Sequence, residues 1–413
     1  MAAALLAAIP SLAFAQSFQF QQLDSYYSGT YPYYTADVTK HALLSRPGLS
    51  FKDDRFDVTY GKSESVTTCE AGSCHSGSTS GFIQLSKPLS GGAASTTVVD
   101  ALGSAPLTAF TDAGFRNVFH VRYASPVLGF PKINQLWQAW QAPNSSTWNH
   151  LLVDGTTGGG ASIFGSTAAM QAVRYGGTNH VFYIEAGLLR LRHVWRDPNT
   201  STWLYEVLDG DGGPNGRLDV NLSGAAQALS VLVDGNQLHV FYVDETNGDV
   251  RRAFYDGSNW SFHFHSGILR RLGAPISAVM FQGTPHVFYR DLDSLDLLYN
   301  SVSGPEQFLD GVGGSVASRA LSAIAFDGKM HVFYDDANGR YLRHAEVLYF
   351  NHTFSTLSDF SASATLAGID TGIDYQGHLN LVYTVNSMDT YSSNYFTRLI
   401  HGRRCHSGVP CPF

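Results

Sequence analysis

Charge is scarce in this sequence. Asp, Glu, Lys and Arg together make up 15% of the chain, and the net charge of -8 is spread thinly, with no Lys/Arg block. That excludes the basic footprint that nucleic acid or an anionic membrane surface requires. Long apolar runs are also missing beyond residue 15: nothing later approaches the roughly 18 apolar residues of a membrane span, so no membrane insertion is expected. Helical periodicity is absent throughout. No His-Glu-x-x-His occurs, and no Gly-x-Ser-x-Gly opens a helix, so zinc-protease and nucleophile-elbow chemistry have no foothold. Cysteine is rare, with four residues in two local pairs.

What is present is glycine and aromatic side chains: 41 Gly, 26 Phe and 21 Tyr in 413 residues, with apolar residues at 44%. This mixture suits many short strands joined by tight turns. Residues 1–15 read MAAALLAAIPSLAFA, and Ala13-Phe14-Ala15 fits a signal-peptidase site with Gln16 as the mature start. A secreted or cell-surface location is expected, although the usual basic segment is missing. A buried N-terminal helix is the alternative.

Self-comparison is the most informative step. His180-Val181-Phe182-Tyr183 recurs at His239-Val240-Phe241-Tyr242, His286-Val287-Phe288-Tyr289 and His331-Val332-Phe333-Tyr334. Looser copies stand at His120-Val121-Arg122-Tyr123 and Asn380-Leu381-Val382-Tyr383. Spacings of roughly 45 to 60 residues bracket a four-stranded propeller blade with two insertions. Each core follows an apolar run and a turn such as Asp234-Gly235 or Asp327-Gly328, a tight-hairpin signal. A second turn, a third strand and a Trp-led fourth run (Trp148, Trp203, Trp260) complete the unit. The expected fold is all-β: a six-bladed propeller of four-stranded antiparallel blades, or seven-bladed if Arg55 to Tyr60 belongs to a degenerate copy. Residues 101–402 carry the repeats. Residues 16–100 supply a closing strand or that extra blade, and residues 403–413 form a Cys-containing tail.

The third unit, with His239-Val240-Phe241-Tyr242, Asn247-Gly248, Val250-Arg251-Arg252 and Asp256-Gly257-Ser258-Asn259-Trp260, resembles the six-bladed fucose-binding lectins and tectonin-like propellers. The resemblance covers residues 105–400. It implies sugar sites between neighbouring blades, with an Arg before Val-Tyr-Tyr and a Glu after Ile-Arg holding hydroxyls. Here the first position is His or Asn380, and the second is His193, Arg252, Tyr299 or His344. The fold analogy survives this departure, and fucose specificity does not.

Alternation places His and Phe of each core on one sheet face and Val and Tyr on the other. One reading makes each His a sugar ligand beside an aromatic platform; the other makes it scaffolding bonded to a neighbouring loop. On the first reading the candidate sugar-binding residues are His180, Arg192, His193 and Trp195, then His239, Arg251, Arg252 and Trp260, then His331, Arg343 and His344. The leading expectation is a non-enzymatic lectin-like propeller with several repeated shallow sites and a glycan partner. The alternatives are a polysaccharide-acting hydrolase or lyase, with its acids on blade-top loops of the long first two units, and a structural or adhesive surface protein. The sialidase turn Ser-x-Asp-x-Gly-x-x-Trp is not matched by Asp256 to Trp260, and no catalytic residue is singled out.

No cofactor or metal is expected. Asp209 to Asp219 spaces oxygens like a calcium loop but lacks a closing Glu, so an inter-blade turn is preferred. Cys69, Cys74, Cys405 and Cys411 are expected to form two local disulfides. The segment Cys69 to His75 also resembles a c-type haem attachment, with four residues between the thiols where two are usual. Asn144, Asn199, Asn221, Asn259 and Asn351 head glycosylation sequons.

Overall fold

The computed structural model describes residues 18–28, 36–42, 47–70, 73–124, 133–155, 169–185, 190–210, 227–244, 247–266, 272–311, 316–336, 341–348, 351–359, 364–388 and 395–405. The chain is a seven-bladed β-propeller of four-stranded antiparallel blades. The innermost strands are Gly48–Lys52, Gly103–Asp112, Met170–Tyr175, Leu229–Asp234, Leu272–Phe281, Val316–Phe326 and Ala364–Ile373. Each packs against the next and the last against the first, which closes the ring.

The seventh blade corrects the count of six. Its repeat core, in blade 1, reads Asp57-Val58-Thr59-Tyr60 and has lost both the His and the Phe that mark the other copies. Blade 2 corrects a register. Thr108 lies opposite Phe119 just as Gln171 lies opposite Phe182, so the true copy is Asn117-Val118-Phe119-His120. His120 therefore occupies the tyrosine column, three residues from where its resemblance to the repeat put it.

The two ends of the chain meet in blade 7. The N-terminal strand Gln19–Ser28 pairs with Tyr395–Arg404 and becomes the outermost strand of blade 7. A sheet edge that would otherwise stay open is covered by the opposite end of the chain. Hairpin turns bear out the glycine signal: Asp327 and Gly328 both have positive φ (48° and 72°), the geometry a two-residue hairpin with right-handed twist needs.

A second ring seals the axis. In five of the seven inner strands one polar side chain accepts the backbone N–H of the next: Thr108 from Ala172, Gln171 from Val231, Ser230 from Ala278, Ser277 from Ala323 and Asp370 from Leu49, at 2.8–3.2 Å, while Ser322 of blade 6 bonds the Thr371 hydroxyl. Inner-strand amides that face a channel have no ladder partner on that side, and these side chains satisfy them. Blade 1 breaks the pattern with Gly48, where a Cβ would stand 2.8 Å from that of Ala109. The axis retains a cavity of about 250 Å³ lined by these small groups.

Candidate active site

The two faces of each blade do different work. On the histidine face, His180 Nδ1 and His193 Nε2 are 2.9 Å apart, and the His193 ring stacks on Phe182 at 4.4 Å and on Trp195 at 4.8 Å. His193 Nδ1 bonds Glu206 at 2.8 Å, and Trp260 of blade 4 donates to the same carboxylate at 3.0 Å. Blade 6 repeats the pair, with His331 and His344 at 3.0 Å and His331 Nε2 on the Phe326 carbonyl at 3.2 Å. Burial, reinforced by the neighbouring imidazole, pushes His180 and His344 down to about 3. Burial likewise lowers His331 and His239 to about 4. His239 packs on Phe241 and Phe254. Arg252 lies 5.2 Å over the Phe254 ring.

On the opposite face, the tyrosine of one blade donates to the residue that ends the previous blade's outer strand. Tyr183 reaches Asp154 at 2.5 Å, Tyr242 reaches Asp209 at 2.7 Å, and Tyr334 reaches Asp310 at 2.6 Å. In blade 5, Tyr289 reaches Ser266 instead, and in blade 2 His120 reaches Asp100. Burial alone would raise Asp100, but the His120 and Arg122 hydrogen bonds outweigh it and hold the carboxyl well below its usual range. Arg192 and Arg343 reinforce the same bridges to Asp154 and Asp310. Arg251 joins Asp244 at 2.8 Å and Asp249 at 3.1 Å. The eleven candidate sugar-binding residues are thus distributed over two opposed faces. Most of their polar groups are engaged within or between blades; the exceptions include His239, whose two ring nitrogens are buried without a partner among the described residues, and the Nε of Arg252.

One position departs from this repeated economy. Two residues after each core tyrosine, blades 4, 5 and 6 carry Asp244, Asp291 and Asp336. Each is a turn cap that accepts backbone N–H groups, from Asn247, from Asp293 and Ser294, and from Tyr341. Such Asx caps are the ordinary use of Asp at a strand end. Blade 3 has Glu185 there. It is fully buried, and among the described residues neither carboxyl oxygen has a hydrogen-bond partner. The nearest cation is Arg192 Nη1 at 3.7 Å. Burial pushes the Glu185 carboxyl up, against the opposing pull of Arg192.

Asp154 shares that guanidinium, with Arg192 Nη2 at 3.0 Å. It also takes the Tyr183 hydroxyl and the N–H of Gly155 at 2.7 Å. The result is two carboxyls on one arginine, one richly supplied with donors and one starved of them. Environments that differ in this way assign acid and base roles within a carboxyl pair. In the sequence Asp154 stands in an Asp-Gly pair and Glu185 in no motif. The available signal was a Glu where three sister units have Asp.

Among the described residues one trio has metal-ligand spacing, His331, His344 and Glu346, whose ligand atoms lie within 4.8 Å of one another. Lys329 and Arg404 both bond Glu346 and hold it down at about 2 against burial, and the two imidazoles bond each other. A cation would have to displace both contacts, so the trio does not fit a metal. The acidic loop after Asp209 lies outside the described residues from residue 211. For the haem alternative, the backbone register sets Cys69 opposite Cys74. The side chains of residues 69–75 and the whole of Cys411 also lie outside the described residues.

No protein-family model matches the chain, and no curated protein matches its sequence. Solved structures that resemble it include YjhT, at 9% identity over 75% of this chain and 96% of that one, TM-score 0.45. Another is the NanB sialidase from Streptococcus pneumoniae, at 10% identity over 88% and 68%, TM-score 0.40. A third is an α-L-arabinofuranosidase from Fusarium graminearum, at 11% identity over 69% and 89%, TM-score 0.43. These likenesses set no activity for this chain. The expectation of a non-enzymatic lectin with repeated sites is corrected. Its histidine pairs are buried and bonded to each other, which leaves them no free face for a sugar hydroxyl.

Proposed function

We propose that the protein is a glycan-cleaving propeller hydrolase whose reacting pair is Glu185 and Asp154. The observation that carries this reading is the Glu185 carboxyl, buried beside Arg192 without a hydrogen-bond partner among the described residues and raised by that burial. A carboxyl whose burial makes it hold its proton more tightly can give that proton to a glycosidic oxygen as the C–O bond breaks. A second carboxylate takes the proton of the water that attacks the anomeric carbon, or attacks that carbon itself. Asp154 has the donors to hold a fixed orientation for that role, and Arg192 ties the two together. Acetal cleavage suits such a pair because it needs no metal and no separate nucleophile. An extracytoplasmic setting, as residues 1–15 suggest, fits a polymeric substrate.

The pair lies where the chain inserts its longest connections, between the outer strand ending at Asp154 and Met170, and between Asp209 and Leu229. Both carboxyls are buried, so cleavage requires an opening at this end of the blades. The test is reducing-end release from a panel of plant, fungal and bacterial polysaccharides by the full chain, with Glu185→Gln and Asp154→Asn compared at equal folded fraction. Each variant is expected to lose at least about a hundredfold in kcat, the typical worth of a positioned acid or base. Restoration of Glu185→Gln on substrates with an activated leaving group would identify Glu185 as the acid. No release by the parent protein, or undiminished release by both variants, would remove the assignment.

A further inference from the structure

We infer that a groove between blades 2 and 3, at the end of the blades opposite Glu185, binds one acidic sugar residue. It is a single site, built where the repeat is broken, and it does not depend on the cleavage reading. Blade 2 has Asn117 in the histidine column and Gln138 in the column of His193 and His344. Two amides replace two stacked imidazoles, and a cavity of about 360 Å³ opens there. That is within the range of small-ligand pockets, roughly 300–1,000 Å³.

The floor is preorganised. Gln138 donates to Asn117 Oδ1 at 2.9 Å, Asn179 donates to the same oxygen at 3.4 Å, and Asn117 donates to the Phe115 carbonyl at 3.3 Å. Gln138 is 3% exposed, yet its Oε1 has no donor among the described residues. A buried acceptor left bare costs about 1–3 kcal/mol unless something outside the fold donates to it. A ligand hydroxyl is such a donor. Beside the floor, the half-buried Trp140 and the 40%-exposed Phe115 stand 6.4 Å apart at 47°, an open aromatic corner. Aromatic faces of this kind accept the C–H face of a pyranose. On the rim, Arg174 is neutralised by Asp112 at 3.0 Å. Arg196 uses Nε on the Ser201 carbonyl, which leaves its charge and its terminal nitrogens for a ligand carboxylate. Hydroxyl acceptor, ring platform and guanidinium together describe a uronic acid unit, which a neutral hexose would satisfy only in part.

The site lies at the start of the strand Thr178–Glu185 and the carboxyl pair at its end. At about 3.3 Å per residue the two are some 23 Å apart, so each can be altered alone. Calorimetric titration of the full chain with hexagalacturonate and with cellohexaose as probes tests the inference. Hexagalacturonate is expected to bind about tenfold more tightly than cellohexaose. Arg196→Gln should erase that preference, and Trp140→Ala should weaken both probes about tenfold. Arg196 is exposed, so its variant folds even if the Trp140 variant does not. Glu185→Gln should leave binding unchanged, which separates this site from the cleavage pair. Absence of hexagalacturonate binding, or binding that Arg196→Gln leaves unaltered, would overturn it.

Discussion

Blades 3 and 6 are built from the same parts and differ at one useful point. Both pair two buried imidazoles on one face, and both anchor a tyrosine and an arginine on the acid that ends the preceding blade. In blade 6 the acid two residues after the tyrosine is Asp336, which caps its turn; in blade 3 it is Glu185, which has no hydrogen-bond partner among the described residues. The shared parts are therefore scaffold, and the unshared carboxyl is where chemistry has room to act. The lesson for a repeat protein is that regularity marks the frame, and a departure from it marks a candidate site.

The sharpest way to test the comparison is to remove the anchoring acid from each blade. Asp154→Ala leaves Arg192 buried without its closest partner, and should cost about 3–5 kcal/mol in chemical denaturation. Asp310→Ala frees Arg343, whose side chain is 36% exposed, so water screens the loss and about 1 kcal/mol is expected. Equal costs would mean that exposure does not distinguish the two anchors.

A second test uses pH. His180, His239, His331 and His344 are held at about 3 to 4 when folded. The unfolded chain then binds protons that the folded chain refuses. Stability should be level above about pH 7 and fall as pH drops from about 6.5 toward 4, by at most about 1.4 kcal/mol per unit for each histidine. The double variant His180→Asn, His193→Gln installs the amides that blade 2 carries in the same columns. It should fold and show a shallower acid slope in urea titrations; an unchanged slope would place the acid sensitivity elsewhere.

A smaller effect is expected of Glu185→Asp. The shorter acid can cap its turn as in blades 4 to 6, so stability should change by less than about 1 kcal/mol, while glycan cleavage disappears. Retained cleavage would detach function from the departure that singles out blade 3. The smallest effect concerns the cysteines. Non-reducing peptide mapping should recover Cys69 joined to Cys74 and Cys405 joined to Cys411, with no Soret absorbance. A haem adduct on the peptide from Cys69 to His75 would reverse that reading.

Much of the fold was legible because a propeller is its own repeat. Apolar strand, Asp-Gly turn and His-Val-Phe-Tyr core each follow from local rules of pleat and turn, and the N-terminal closing strand follows from the need to cover an edge. Blade 1 was harder to see, since Asp57-Val58-Thr59-Tyr60 keeps the apolar alternation but not the residues that made the other copies align. Blade 2 misled, because His120 imitated the column three residues away.

The site was less legible. Whether His180 meets solvent or His193, and whether Asp154 ends a turn or anchors the next blade's Tyr183, depends on strands that adjoin only once the ring is closed. The sequence by itself determined the strand period, the turn chemistry and the repeated unit, because those are set by neighbours along the chain. Only the tertiary structure decided the seventh blade, the true register of blade 2 and the company of Glu185. These depend on which face of one blade packs against which face of the next, a contact between residues distant in sequence that no local pattern encodes.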